Sequence, residues 1–225
     1  MGNLIVKSVL GLAFLVLYLA LALFLSAGSL EFWQAWVFLA VWTVSVVFIT
    51  AYLIKYDQKL LASRVQAGPT AETQKIQKFI QSRASLFFIG LFIVPGLDFR
   101  FHWSTVPPVV SWISNGFVML GFFIVFLVFK ENSYTSAVIE LSNEQKVITT
   151  EPYAVIRHPM YAGAILLLLF TPLALGSWVA LPFPLPLVLV VAVRLLEEEK
   201  FLLANLSGYE TYCQKVCYRL VPFIW

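Results

Sequence analysis

Long stretches without a charged residue constrain the fold of this 225-residue chain more than any other feature. Asp, Glu, Lys and Arg are all absent from residues 8–30, 32–54, 84–97, 103–129 and 159–193. A helix needs about 20 apolar residues to cross a bilayer core of about 30 Å. Charged residues make up only 12% of the chain, whereas soluble domains contain about 25%. The chain is therefore predicted to be an integral membrane protein.

The last uncharged stretch is too long for one membrane crossing, because its 35 residues would extend about 52 Å as a helix. Its middle, residues 171–186, is rich in proline and glycine, which is typical of a turn. We therefore predict a C-terminal hairpin, with one helix starting near Pro159 and the other ending near Leu203. The expected fold class is all-α: a polytopic membrane helical bundle of about six transmembrane helices with a cytosolic C-terminal helix.

The basic residues predict the orientation of these helices. Of the 15 Lys and Arg residues, 14 lie at the N-terminus, in the connections 55–83 and 130–158, or in the C-terminal tail, and only Arg100 lies on the opposite side. Basic loops favour the cytoplasm, so both termini are expected to be cytosolic. The membrane would be the plasma (inner) membrane of a bacterium or the endoplasmic reticulum of a eukaryote. Residues 67–70 should break the first connection into two short amphipathic pieces.

Several functional classes are disfavoured by what the sequence lacks. Ionisable residues are absent from the predicted membrane interior, and carriers and pumps usually need them there, so a carrier without enzymatic activity is the weaker alternative. Two histidines are too few for a histidine-rich metal site, and no metal or nucleic-acid partner is expected. Cys213 and Cys217 would be reduced in the cytosol. The first apolar stretch exceeds the about 7–15 residues of a signal-peptide core, so we expect an uncleaved helix.

The first candidate site lies at the start of the predicted hairpin. His158 precedes Pro159, which disfavours a helical conformation at His158 and suits the first turn of a helix. The free N–H groups and dipole of this helix start, together with Arg157 and His158, predict a pocket for an anionic group. Tyr161 follows one turn later, and Gly163 would leave room for a flat ligand. Alternatively, these side chains only anchor the helix at the membrane interface.

The second candidate site is the charged segment 194–200. Successive helical residues diverge by about 100°, so the glutamates at 197–199 cannot share one target. Arg194 and Glu198 lie on one helix face. An inward carboxylate near a cytosolic cleft could hold an ammonium or sulfonium group; alternatively, the segment is a charged collar with an Arg194–Glu198 pair.

Two other polar groups have simpler interpretations. The aromatic and basic tail, residues 206–225, suits a helix lying on the membrane interface, where it could serve as an anchor without chemistry. Asp98, Arg100 and His102 on the outer side are interpreted as a loop network rather than a site.

Taken together, the two candidate sites resemble a known family. Arg157-His158-Pro159-Met160-Tyr161-Ala162-Gly163 resembles the RHPxYxG motif of the isoprenylcysteine carboxyl methyltransferase and phospholipid methyltransferase group of membrane enzymes. Arg194-x-x-x-Glu198-Glu199, then Gly208-Tyr209, Tyr212 and Pro222, resembles the C-terminal signature of the same group. The likeness covers roughly residues 130–225, and the first three helices match only by hydropathy. From the apolar stretches we expect N-terminal transmembrane helices 1–4 in residues 1–129. The resemblance implies a catalytic methyltransferase region with a cofactor pocket in residues 130–225.

The resemblance implies transfer of a methyl group from S-adenosyl-L-methionine to a lipophilic acceptor at the cytosolic face. Arg194 would be the catalytic residue facing the acceptor, which favours a carboxylate such as a prenylcysteine-like group; a phospholipid amine or a small thiol are the alternatives. Glu198 would meet the cationic amino-acid end of the cofactor. The other cofactor-binding residues implied are Gln145, Val147, Ile148, Tyr153, His158, Pro159, Met160 and Tyr161.

Overall fold

The computed structural model describes residues 2–66, 75–134 and 146–225, and within these ranges the chain is helical, without a strand. Six long helices and two short ones follow one another along the chain. They are α1 (Gly2–Ala27), α2 (Trp33–Tyr56), α3 (Gln58–Gln66), α4 (Lys75–Phe101), α5 (Pro108–Glu131), α6 (Pro159–Ala174), α7 (Pro184–Asn205) and α8 (Tyr209–Lys215). The predicted all-helical fold is confirmed.

The six long helices coincide with the six predicted membrane crossings. Among the described residues, α1, α2 and α5 each contain a segment of 24 residues that is long and apolar enough to cross a membrane. α6 is apolar but has only 16 residues. Large apolar side chains such as Phe14 and Leu25 of α1 face outward, as expected where lipid is the solvent. The chain is thus an integral membrane protein, and its exact number of crossings and its orientation stay predictions.

The predicted hairpin turn is found between α6 and α7, where residues 175–183 connect the two helices. Asp98 at the end of α4 is 1% exposed and ties this turn in place. Its carboxylate accepts hydrogen bonds from the backbone N–H and hydroxyl of Ser104, at 2.7 and 2.6 Å, and from the hydroxyl of Ser177. Asp98 therefore belongs to a loop network, as expected, although its partners here are serines and not the neighbouring charged residues of the sequence.

Glycines allow α5 and α6 to pack closely. A Cβ atom added to Gly163 would lie 2.9 Å from the carbonyl oxygen of Gly121, and one added to Gly121 would lie 2.9 Å from the carbonyl oxygen of Gly163. Small residues permit such close approach of membrane helices. The space expected beside Gly163 for a flat ligand is therefore filled by α5, and that expectation is wrong.

The chain beyond α7 returns toward the start of α6. Gly208 has a positive φ of 84° and precedes α8, whose seven residues form the predicted C-terminal helix. Residues 216–225 are not helical, and the carbonyl oxygen of Trp225 accepts hydrogen bonds from the N–H groups of residues 219–221. The first of the two short pieces expected in the 55–83 connection is α3, and the predicted break at 67–70 lies outside the described residues.

Candidate active site

The start of α6 adopts the geometry that its sequence predicts. His158 occupies the N-cap position with φ −125° and ψ 61°, and Pro159 is the first helical residue. The segment just before the helix pairs with the C-terminal tail, because the N–H groups of Arg157 and His158 donate to the carbonyl oxygens of Tyr218 and Arg219 at 2.9 and 3.0 Å. The tail therefore holds the backbone of the first motif in place.

The three adjacent glutamates of α7 have three different surroundings, as the helical rotation of about 100° per residue requires. Glu197 is exposed and forms a salt bridge of 2.8 Å with Lys200. Glu198 is half-buried and accepts a hydrogen bond from the hydroxyl of Tyr161. Glu199 is buried, with a side chain only 7% exposed. Only Glu198 and Glu199 therefore face the interior.

Glu199 is the centre of a buried ionic cluster. Its Oε1 lies 2.8 Å from Nε of Arg157 and 3.6 Å from Nε2 of His158. Its Oε2 accepts a hydrogen bond of 2.7 Å from Nε of Arg219. The sequence predicts a pocket for an anionic group beside Arg157 and His158, and in the structure a carboxylate of the chain itself occupies that position. We call Arg157, His158, Glu199 and Arg219 the clasp.

The clasp also fixes α8. Nη1 of Arg157 donates to the carbonyl oxygens of Cys213 and Val216 at 3.4 and 3.2 Å. One arginine thus joins the start of α6, the C-terminal part of α7 and the end of α8. The sequence offers no signal for this arrangement beyond the presence of the charged residues, because it depends on where the tail folds back.

A second cluster, beside the clasp, brings the two sequence motifs together. Tyr161 of α6 donates its hydroxyl to Glu198 of α7, and Arg194, one turn before Glu198, interacts with the same hydroxyl. The ring of His158 lies 5.9 Å from that of Tyr161. Tyr161 and Glu198 are 37 positions apart in the sequence, and α6 and α7 place them at one site. We call Tyr161, Arg194 and Glu198 the motif cluster.

Tyr153 borders the motif cluster from the loop before α6. Its hydroxyl accepts a hydrogen bond of 2.9 Å from Nδ2 of Asn132, and its carbonyl oxygen accepts one of 2.8 Å from the hydroxyl of Tyr212. Burial raises the pKa of Tyr153 to about 12, with Glu198 acting in the same direction. The phenol therefore stays protonated at neutral pH and remains available as a hydrogen-bond donor.

The structure describes all but one of the other predicted cofactor residues. Val147 and Ile148 are half-buried in an extended segment, and Val147 packs 4.0 Å from the position of a Cβ at Gly208. Pro159 is buried and Met160 half-buried in the first turn of α6. Gln145 lies outside the described residues.

One residue at the site is missed by sequence reasoning. Arg64, in the last turn of α3, has Tyr153, Tyr161, Arg194 and Glu198 as its electrostatic neighbours. In the sequence Arg64 is one of six basic residues in the 55–83 connection, and nothing distinguishes it from the others. Its place at the site follows from the fold of α3 against the bundle.

Comparison with known families gives a match for part of the chain. Residues 109–207 match the phospholipid methyltransferase family. This segment contains the RHPMYAG motif and all three residues of the motif cluster. The match supports the group of membrane methyltransferases that the motifs resemble. No curated protein sequence matches the chain.

The fold is similar to a solved structure, that of the eukaryotic intramembrane Ras methyltransferase ICMT (isoprenylcysteine carboxyl methyltransferase). The TM-score is 0.55 and the sequence identity 21%, and the likeness covers 92% of this chain and 74% of that chain. At this identity the likeness establishes the polytopic helical fold alone.

Proposed function

We propose that this protein transfers a methyl group from S-adenosyl-L-methionine to a lipophilic acceptor at the cytosolic membrane surface. The observation that carries the proposal is the meeting of Tyr161 with Arg194 and Glu198, because it joins two separate motifs of one methyltransferase group at a single place. An interface anchor or a charged collar would not require these motifs to meet.

The residues present suit this cofactor, which carries an ammonium, a carboxylate, a cationic sulfonium and an adenine ring. Glu198 offers a carboxylate for the ammonium, and Tyr153, His158 and Met160 would line the rest of the pocket. His158 is buried, and its Nε2 faces the carboxylate of Glu199 at 3.6 Å. The ring of His158 lies 5.9 Å from that of Tyr161, on the side of the motif cluster. When bound, the cofactor supplies an activated methyl group.

The role of the protein is then to align the reactants and exclude water, which suffices for a direct transfer without a covalent intermediate. Tyr161 fixes the carboxylate of Glu198 by donating its hydroxyl. Arg194, on the same helix face, would orient the acceptor. The clasp would keep the tail over the start of α6.

A carboxylate acceptor such as a prenylcysteine-like group is favoured by the arginine at the site. Phospholipid N-methylation is the second candidate, and the match of residues 109–207 to the phospholipid methyltransferase family favours it.

Glu198→Gln and Arg194→Ala test the assigned roles. Calorimetry of S-adenosylmethionine binding should show weaker binding for Glu198→Gln by about ten- to a hundred-fold, because a hydrogen bond to a charged group is worth about 1.5–3 kcal/mol. Arg194→Ala should bind the cofactor normally and lose methyl transfer. Glu197→Gln, on the exposed face of the same helix turn, is the matched control.

Two results would contradict the proposal. A folded wild-type protein that binds no S-adenosylmethionine would exclude the function. Equal losses of cofactor affinity in Glu198→Gln and Arg194→Ala would show that the two residues act as one salt bridge.

A further inference from the structure

Arg64, in the N-terminal half of the chain, interacts electrostatically with all three residues of the motif cluster. It lies in the last turn of α3, and its guanidinium carbon is 4.9 Å from the centre of the Phe129 ring near the end of α5. An aromatic ring attracts a cation above its face and orients a planar guanidinium. This cation–π contact therefore restrains the guanidinium of Arg64.

Among the described residues, one carboxylate, that of Glu198, acts on Arg64. The hydroxyl of Tyr161 already donates a hydrogen bond to this carboxylate. Nε of Arg64 is buried and has no hydrogen-bond partner among the described residues. Burial lowers the pKa of Arg64, which reflects the cost of removing its charge from water. Arg64 is half-buried, and a charge withdrawn from water needs a counter-charge, so this part of the site suits an anion.

We propose that Arg64 binds the anionic oxygen atoms of the methyl acceptor, and that it selects acceptors carrying a carboxylate or a phosphodiester. The inference rests on the proposed methyltransferase function, and it names the residue that selects the acceptor by its anionic group. A carboxylate and a phosphodiester each present two anionic oxygen atoms. A guanidinium can donate one hydrogen bond to each oxygen of either group. Acceptor selection would then depend on α3 as well as on residues 130–225.

The test compares probes that carry an anionic group with probes that lack it. The first pair is N-acetyl-S-farnesylcysteine and its carboxamide, and the second is phosphatidylethanolamine in vesicles and a long-chain primary amine without phosphate. Binding or KM is measured for the purified full chain in wild-type form and as Arg64→Gln, Arg64→Lys and Lys59→Gln. Lys59 is an exposed residue of the same helix, so Lys59→Gln is the matched control.

For one of the two pairs, the wild type should prefer the probe with the anionic group by about ten- to a hundred-fold, because a hydrogen bond to a charged group is worth about 1.5–3 kcal/mol. Arg64→Gln should abolish most of this preference while S-adenosylmethionine affinity stays unchanged. Arg64→Lys should keep part of it, because the charge remains and the two-pronged geometry is lost. Lys59→Gln should behave as wild type. A preference within the first pair identifies a carboxylate, and one within the second a phosphodiester.

The proposal is overturned if Arg64→Gln weakens binding of the probes with and without the anionic group equally. It is also overturned if Arg64→Gln weakens cofactor binding to the same extent, or if the wild type discriminates within neither pair. These outcomes are distinct from failure of the methyltransferase function, which would appear as a wild-type protein that binds no S-adenosylmethionine. Thermal unfolding in detergent establishes that each variant is folded before its selectivity is compared.

Discussion

Neutralising the three adjacent glutamates of α7 one at a time should produce three different losses of stability. Glu199→Gln removes the only carboxylate of the clasp and leaves Arg157 and Arg219 facing each other without it. The side chains of Glu199 and Arg157 are 7% and 8% exposed. Removing one partner of such a buried pair costs about 3–5 kcal/mol, so the free energy of unfolding should fall by about that amount.

Glu197→Gln and Glu198→Gln provide the reference losses of stability with which Glu199→Gln is compared. Glu197→Gln breaks an exposed pair, with side chains 54% and 72% exposed, and such pairs contribute only about 0–1 kcal/mol. Glu198→Gln keeps an amide oxygen that can still accept the hydrogen bond of Tyr161, so a loss of about 1 kcal/mol is expected. Glu199→Gln should therefore be the most destabilising of the three by a wide margin.

The measurement is unfolding by sodium dodecyl sulfate in mixed micelles, followed by circular dichroism, with limited proteolysis of the tail as a second readout. Glu199→Gln should also expose the tail to cleavage, because the clasp joins it to α6 and α7. If Glu199→Gln destabilises no more than Glu197→Gln, the clasp does not hold the tail. Greater destabilisation by Glu198→Gln than by Glu199→Gln would show that the two carboxylates have been assigned the wrong partners.

Three other perturbations test the packing, the orientation and the cofactor pocket. Gly163→Ala should lower the free energy of unfolding by about 1–3 kcal/mol through overpacking against α5. Gly116→Ala should not lower it, because nothing lies within 4 Å of a Cβ added there. Equal effects of the two substitutions in the same micelle titration would contradict the close helix contact. In a cysteine-free background, a cysteine at Ser63 should react with impermeant reagents only from the cytosolic side and one at Ser104 only from the outer side; labelling of position 63 from outside would refute the orientation. His158→Ala should weaken S-adenosylmethionine binding by about ten- to a hundred-fold in a protein that remains folded, and unchanged affinity by calorimetry would remove His158 from the pocket.

Local physical rules explain which features could be predicted from the sequence. The apolar stretches determine the helices, because each must match the bilayer thickness. His158 at the N-cap follows from Pro159, and the divergence of the three glutamates follows from the helical rotation. The motifs resemble the methyltransferase group, and the match of residues 109–207 supports that resemblance.

Contacts between distant segments could not be predicted in the same way. The pairing of Glu199 with Arg219 requires the tail to fold back on α6. The contact of Arg64 with Phe129 requires the end of α3 to lie near the end of α5. Gly163 could equally have faced a ligand or a helix, and only the packing shows that it faces Gly121. In each case the decisive neighbour lies more than a dozen residues away, where periodicity and capping rules carry no information.

Transfer of a labelled methyl group by the purified protein is the most direct test of the proposed function. The protein in lipid vesicles is incubated with methyl-labelled S-adenosylmethionine and a total lipid extract that includes prenylated cysteine compounds, and the organic phase is analysed for labelled products. We expect a labelled lipophilic product from the wild type, little from Arg194→Ala or Glu198→Gln, and a normal yield from Glu197→Gln. A folded wild-type protein that binds the cofactor and labels no product, or an equal yield from all four proteins, would contradict a methyltransferase site at Tyr161, Arg194 and Glu198.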